Sequence, residues 1–206
     1  MRRSRILLGG ATLAACIGAV FPIYWAVVTS FQYREKLYVY PPPFLPGRLS
    51  LGNYLDVFRE SGLALWLWNS LLVSAVATAA SVFLAALGAY SLSRFRYWGR
   101  GGIGYLILVT QMLPPTLLVI PIFLIFRDLR LIDTLTGLVV AYTTFALPLC
   151  VWMLKGFFDT IPRELEEAAQ VDGCSRMGGF LRVVVPLSTP GIAATSFYAF
   201  IVAWDE

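Results

Sequence analysis

The charged side chains of this chain are few, and one stretch gathers them. Sixteen Lys and Arg and twelve Asp and Glu occur in 206 residues, and histidine is absent. Between Lys155 and Arg182 stand Asp159, Glu164, Glu166, Glu167 and Asp172 against Lys155, Arg163, Arg176 and Arg182. Pro162 suits the first turn of a helix. Glu164, Glu166 and Glu167 follow where the positive end of a helix favours carboxylates. Gly173 suits a left-handed C-cap. The spacing predicts a short helix over Pro162–Asp172, with Leu165, Ala168, Ala169 and Asp172 on one face and acids on the other. Such a small-faced helix can seat in a partner's groove, or lie as an inert, solvated helix.

Catalysis finds little support. Without histidine the commonest general base and metal ligand is missing, and the three cysteines (Cys16, Cys150, Cys174) follow no zinc or disulfide spacing. No phosphate-cradling GxxxxGK[ST] run occurs. The expectation is a non-enzyme with no metal and no cofactor of its own. Four further residues are candidates for contact with a small solute. Asn69 and Gln111 are neutral hydrogen-bonding groups in apolar surroundings, Trp204 could stack on a ring, and Asp205 adjoins it. Packing and interhelical hydrogen bonding are the competing readings for each.

The elements that must position these residues are set by hydropathy. The chain is 58% hydrophobic and 14% charged, with mean hydropathy +0.73, whereas soluble domains carry about 25% charged residues. Five runs contain no Asp, Glu, Lys or Arg: Ile6–Tyr33, Ser61–Ser93, Gly101–Phe126, Thr134–Leu154 and Val183–Trp204. Each reaches the roughly 20 residues that cross a bilayer core. None alternates with period two, which excludes barrel strands, so helices that satisfy their own backbone are expected. The first run exceeds the apolar core of a cleaved leader. Prolines Pro114, Pro115, Pro121 and Pro148 predict kinks in the third and fourth runs.

Lys and Arg placement sets orientation. The amino-terminal tail, the connection after the second run and the loop after the fourth hold ten of the sixteen, which places them and the N-terminus in the cytoplasm. No basic face suggests nucleic acid. On the other side, Pro41-Pro42-Pro43 and Pro46-Gly47 predict an extended stretch. Ser50 then caps a short amphipathic helix carrying Leu51, Tyr54, Leu55 and Phe58. The absence of acids and bases inside the runs argues against a transporter driven by an ion gradient; energy must come from elsewhere.

Glu167-Ala168-Ala169, three residues, Gly173, nine residues and then Val183-Val184-Val185-Pro186 resembles the EAA loop of ATP-binding-cassette (ABC) importer permeases, with Val183 and Val185 in place of the usual Ile and Leu. Ile161-Pro162-Arg163-Glu164-Leu165-Glu166 and Leu187-Ser188-Thr189-Pro190 agree on either side. Pro22-Ile23-Tyr24-Trp25, Trp68-Asn69-Ser70, Ala89-Tyr90-Ser91-Leu92-Ser93-Arg94, Gln111-Met112-Leu113-Pro114 and Trp204-Asp205-Glu206 are similar to the sugar-importer branch, that of the smaller maltose permease subunit.

The resemblance implies an all-α polytopic bundle of type 1 ABC importer architecture. It further implies an N-terminal helix with an external loop over residues 1–62. The transporter domain over 63–206 would have helices near 65–92, 103–126, 134–154 and 188–206 and the EAA loop at 155–186. It also implies a multi-pass protein of a bacterial or archaeal cytoplasmic membrane that imports a sugar or polyol. Its partners would be a second permease, two ATP-binding subunits and an external solute-binding protein. Glu166, Glu167, Ala168, Ala169, Asp172, Gly173 and Pro186 would couple to the ATPase. The same architecture could import another solute, such as a glycerol phosphate diester or a polyamine. From Gly191 to Trp204 a helix rises about 21 Å at ~1.5 Å per residue, short of the ~30 Å core, so the family's pattern is expected to continue past Glu206.

Overall fold

The computed structural model describes residues 2–33, 39–40, 45, 49–60 and 62–205, with side chains left out at 2–8, 60 and 115. The expected extended stretch at Pro41-Pro42-Pro43 and Pro46-Gly47 lies outside the described residues, as does Glu206. Two compact units, Met1–Trp66 and Leu67–Glu206, divide the chain.

In the first unit, α1 (Arg2–Ser30) passes through Pro22 without a break, and α2 (Gly52–Glu60) follows. Ser50 Oγ accepts from the Gly52 amide at 3.1 Å, one residue ahead of the expected cap position, which Leu51 holds with its carbonyl accepting from Leu55. The carbonyls left over where α1 ends need donors. Asn53 Nδ2 supplies them, donating to the Ser30 carbonyl at 3.1 Å and the Gln32 carbonyl at 2.7 Å. The Tyr54 hydroxyl adds a bond to Ser30 Oγ at 2.7 Å, and its ring lies 5.4 Å from that of Phe31. The amphipathic helix thus packs against the end of α1.

The second unit is built from α3 (Leu63–Arg94, which begins before the unit boundary), α4 (Arg100–Thr110), α5 (Pro115–Asp128), α6 (Leu135–Thr160), α7 (Glu164–Val171), α8 (Arg176–Gly179), a π turn (Phe180–Val184), α9 (Val185–Leu187) and α10 (Thr189–Asp205). Its core joins α3, α6 and α10 through Ala85, Ala89, Ala146, Cys150, Leu154, Phe158 and Ala199, none more than 1% exposed. Small side chains dominate because close helix approach in a membrane depends on them. Gly191 shows how close: a Cβ there would lie 2.3 Å from the Phe157 ring.

Three helices among the described residues are long and apolar enough to cross a membrane, in α1, α3 and α6; α8–α9 with α10 make a fourth if that pair is one span. The expectation of a continuous helix over 103–126 is corrected. The run is two helices of 11 and 14 residues, parted at Gln111–Pro114. Pro114 and Pro115 both lack an N–H, and a residue before proline is pushed out of the helical region. Pro114 is extended, at φ −59° and ψ 128°. By contrast, α6 runs through Pro148.

The charged loop also differs from expectation. Its first residues, Lys155 to Thr160, are the last turns of α6, and the short helix is the eight residues Glu164–Val171 rather than Pro162–Asp172. Gly173 has φ +89°, the expected left-handed stop. Beyond it, Pro186 cannot donate to the Arg182 carbonyl one turn back, and its ring would crowd that oxygen. The π turn directly upstream loosens the winding at this point. After Ser188 the axis bends by 77° into α10.

Candidate functional site: a charged loop and a small recess

The cytoplasm-predicted end of α3 places Tyr90, Ser93 and Arg94 within about one helical turn, and this turn gathers the charged loop around it. Glu166 is the centre. Helical spacing placed it with the other acids, on the side away from Ala168 and Ala169. It is turned inward and 5% exposed. Arg94 Nε pairs with Glu166 Oε1, both side chains being almost fully buried. The Tyr90 hydroxyl donates to Glu166 Oε2 at 2.8 Å, and Arg94 Nη2 donates to the Ile161 carbonyl at 3.0 Å. One carboxylate therefore holds groups 72 and 76 residues away in sequence.

The neighbours complete the junction. Arg163 Nη2 donates to the Ser93 carbonyl at 2.7 Å. The Ser93 hydroxyl donates to Asp159 at 2.6 Å, and Lys155 Nζ reaches the other oxygen of that carboxylate at 2.5 Å. Beneath lies Phe180, 3% exposed, with its ring 4.4 Å from Tyr90 and 6.1 Å from Phe158. Arg176 stands over the Phe95 ring at 5.7 Å, a contact that also tethers the segment after α7. A cleft of about 420 Å³ opens beside the junction, with Arg96 and Glu167 on its wall.

Removing one partner of a buried pair strands a charge and costs about 3–5 kcal/mol, so α7 is firmly anchored on this side. Its other side is free of the unit. Glu167, Ala168, Asp172, Gly173 and Pro186 are exposed, Ala169 is half-buried, Leu165 is 44% exposed and Val171 88%. The exposed side thus joins Leu165, Ala168 and Val171 to the carboxylates of Glu167 and Asp172, and the buried ion pair backs it.

The solute candidates separate. Asn69 and Trp204 line one recess of about 150 Å³ together with Ser70, Val73, Leu135, Leu138, Tyr142 and Ala203. Gln111 is not in it. Its amide donates to the Phe145 carbonyl at 3.4 Å and ties the end of α4 to α6, as Trp152 Nε1 does to Gly104 at 3.2 Å. Asp205 is exposed at the end of α10, outside the recess. Tyr142 was missed by sequence reasoning; its position, i+4 from Leu138, carries no mark of a polar role.

A model of the family described as binding-protein-dependent transport system inner membrane component matches residues 77–206. The chain belongs to this family. Together with its long apolar helices, this makes it a multi-pass membrane protein and a transport component. It is 39% identical over 190 residues to the sulfoquinovosyl glycerol transport system permease of Agrobacterium fabrum, covering 92% of this chain and 67% of the relative. It is 36% identical to the trehalose transport system permease of Mycobacterium tuberculosis, over 91% of this chain and 68% of the relative. It is 32% identical to the trehalose/maltose transport system permease of Thermococcus litoralis, over 98% and 72%. Among solved structures, it superposes with a TM-score of 0.86 and 25% identity on a chain of a bacterial ABC transporter involved in the import of the acidic polysaccharide alginate. The match covers 100% of this chain and 73% of that one. The all-α importer permease fold and the resemblance to sugar ABC importer permeases are thus shown.

Proposed function

We propose that this chain is the membrane-spanning permease subunit of an ATP-driven importer that carries a sugar or related polyol into the cell. It works with a second permease, two ATP-binding subunits that bind and hydrolyse the nucleotide, and an external solute-binding protein. Its N-terminus and α7 face the cytoplasm. The exposed side of α7 docks on an ATP-binding subunit, with Glu167, Ala168, Ala169, Asp172 and Gly173 forming the contact, Glu166 holding the helix from behind, and Pro186 setting the path of the chain that returns to the membrane. Closure of the ATPase pair displaces α7 and thereby the helices joined to it.

The observation that carries this reading is the two-sidedness of α7: a bare face of Leu165, Ala168 and Val171 outward, and a buried carboxylate inward. The sugar assignment draws on the substrates named for the relatives and on the recess at Asn69, Tyr142 and Trp204. Its lining has no ionisable acid or base other than the tyrosine, which suits a neutral hydroxylated solute better than a polyamine cation. Trp204 offers a stacking face and Asn69 an amide.

Replacing Ala168 with Trp, or Gly173 with Asp, is expected to leave the protein in the membrane while lowering transport per ATP hydrolysed at least about tenfold, the effect of about 1.4 kcal/mol of lost docking. Unchanged transport per ATP in both variants would overturn the coupling assignment. Uptake of labelled sugars by a deletion strain, complemented with this chain, tests the substrate class. Loss and recovery confined to a polyamine or a glycerol phosphate diester would replace sugar by that solute.

A further inference from the structure

We infer that Arg94 is a positioning residue for coupling: it clamps α7 to the last turn of α3, so that the docking helix and a membrane span move as one body. The inference rests on the proposed docking role of α7 and adds the part that carries its motion inward.

Three features of the geometry point to it. Arg94 bridges two elements at once, its Nε on the Glu166 carboxylate of α7 and its Nη2 on the Ile161 carbonyl between α6 and α7. A guanidinium holds such a fork in fixed geometry, which an ammonium cannot copy. The pair is shielded: side-chain exposure is 9% for Arg94 and 7% for Glu166, so solvent and salt do little to loosen it. Finally, Tyr90, one turn before Arg94 on the same helix, occupies the second carboxylate oxygen at 2.8 Å. Glu166 is thus fixed at both oxygens by a single helix. A surface salt bridge would let α7 swing on two flexible side chains; this arrangement gives it one orientation relative to α3. Arg163, before the start of α7, reaches back to the Ser93 carbonyl at 2.7 Å and opposes rotation about the Arg94–Glu166 contact.

The consequence is directional. A displacement of α7 parallel to the membrane is passed to the end of α3 without slack. Loss of the clamp leaves docking and ATP hydrolysis in place, while the stroke is spent in the loop.

The test uses Arg94→Gln, Glu166→Gln, the double variant and Arg94→Lys in the assembled importer. Each of the first two is expected to keep at least half of the ATPase rate while uptake per ATP falls about tenfold. The double variant is expected to match the worse single variant within twofold, because both remove one contact. Arg94→Lys, which keeps the charge but not the fork, is expected to recover uptake per ATP only in part. Hydrogen exchange on the assembled importer without nucleotide gives an independent readout: Glu164–Val171 amides exchange at least tenfold faster in Arg94→Gln, with α10 unchanged. Multiplicative losses in the double variant, full uptake per ATP in Arg94→Gln, or unaltered exchange in α7 would each overturn the clamp. If Ala168→Trp uncouples while Arg94→Gln leaves α7 exchange unaltered, the clamp alone fails. If Arg94→Gln speeds exchange but Ala168→Trp transports normally, the docking assignment is what fails.

Discussion

The two ends of α3 are built on opposite principles. At its C-terminal turn, Tyr90, Ser93 and Arg94 are cross-linked to three other segments by charge-assisted and neutral hydrogen bonds. Near its start, about 37 Å away along the axis at ~1.5 Å per residue, Asn69 faces a small recess whose wall is mostly apolar. One end is stiff and specified by directional bonds. The other relies on packing of Leu135, Leu138 and Trp204, which can slide with little loss because dispersion contacts are individually weak. A transporter needs both kinds of region. Under the proposed function the first end would receive force and must not yield, whereas the second would meet solute and must change shape.

The sharpest way to break this comparison is to remove one side of the buried pair. Glu166→Ala is expected to lower unfolding free energy in detergent by about 3–5 kcal/mol, read from the chemical denaturation midpoint. Asn69→Ala at the other end should cost less than about 1 kcal/mol. Equal costs would erase the distinction. Next in size is Gly191→Ala, which drives a methyl group into Phe157 at 2.3 Å and should cost about 1–3 kcal/mol; pairing it with Phe157→Ala should restore part of the loss in the same assay. Trp204→Ala tests the recess as a solute contact. It should raise the half-saturating sugar concentration about fivefold, corresponding to about 1 kcal/mol of lost stacking, while the melting temperature moves little. The smallest effect is expected from Lys155→Ala. Its pair with Asp159 is partly exposed, at 24% and 43%, and such pairs contribute less than about 1 kcal/mol. A large loss there would extend the stiff region to the solvent side of α6.

Much of this arrangement was legible in the residues, for reasons that also mark the limit. Hydropathy located α1, α3 and α6, because length and apolar composition are what a crossing helix requires, but it read as one span the run that folds as the two shorter helices α4 and α5. Ser50 and Gly173 announced the helix ends near them because a hydroxyl beside a free amide, and a residue without Cβ at positive φ, are local requirements. Pro114 and Pro115 signalled a disturbance, but whether proline kinks or severs a helix depends on what surrounds it. Pro148 and Pro22 lie inside continuous helices, and the Pro114–Pro115 pair divides two. The inward turn of Glu166 was not legible, because its partner, Arg94, is distant in sequence, and periodicity within α7 has no access to that contact. The π turn at Phe180–Val184 and the inward-facing Tyr142 left no local trace for the same reason.

The 77° bend between α9 and α10 has a mechanical meaning of its own. Two rods joined near a right angle act as a crank: pushing one along its length carries the other crosswise instead of driving it forward. Motion entering this protein parallel to the membrane surface would therefore leave the elbow as a tilt across the helix bundle, the kind of displacement that opens one mouth of a channel as it shuts the opposite one.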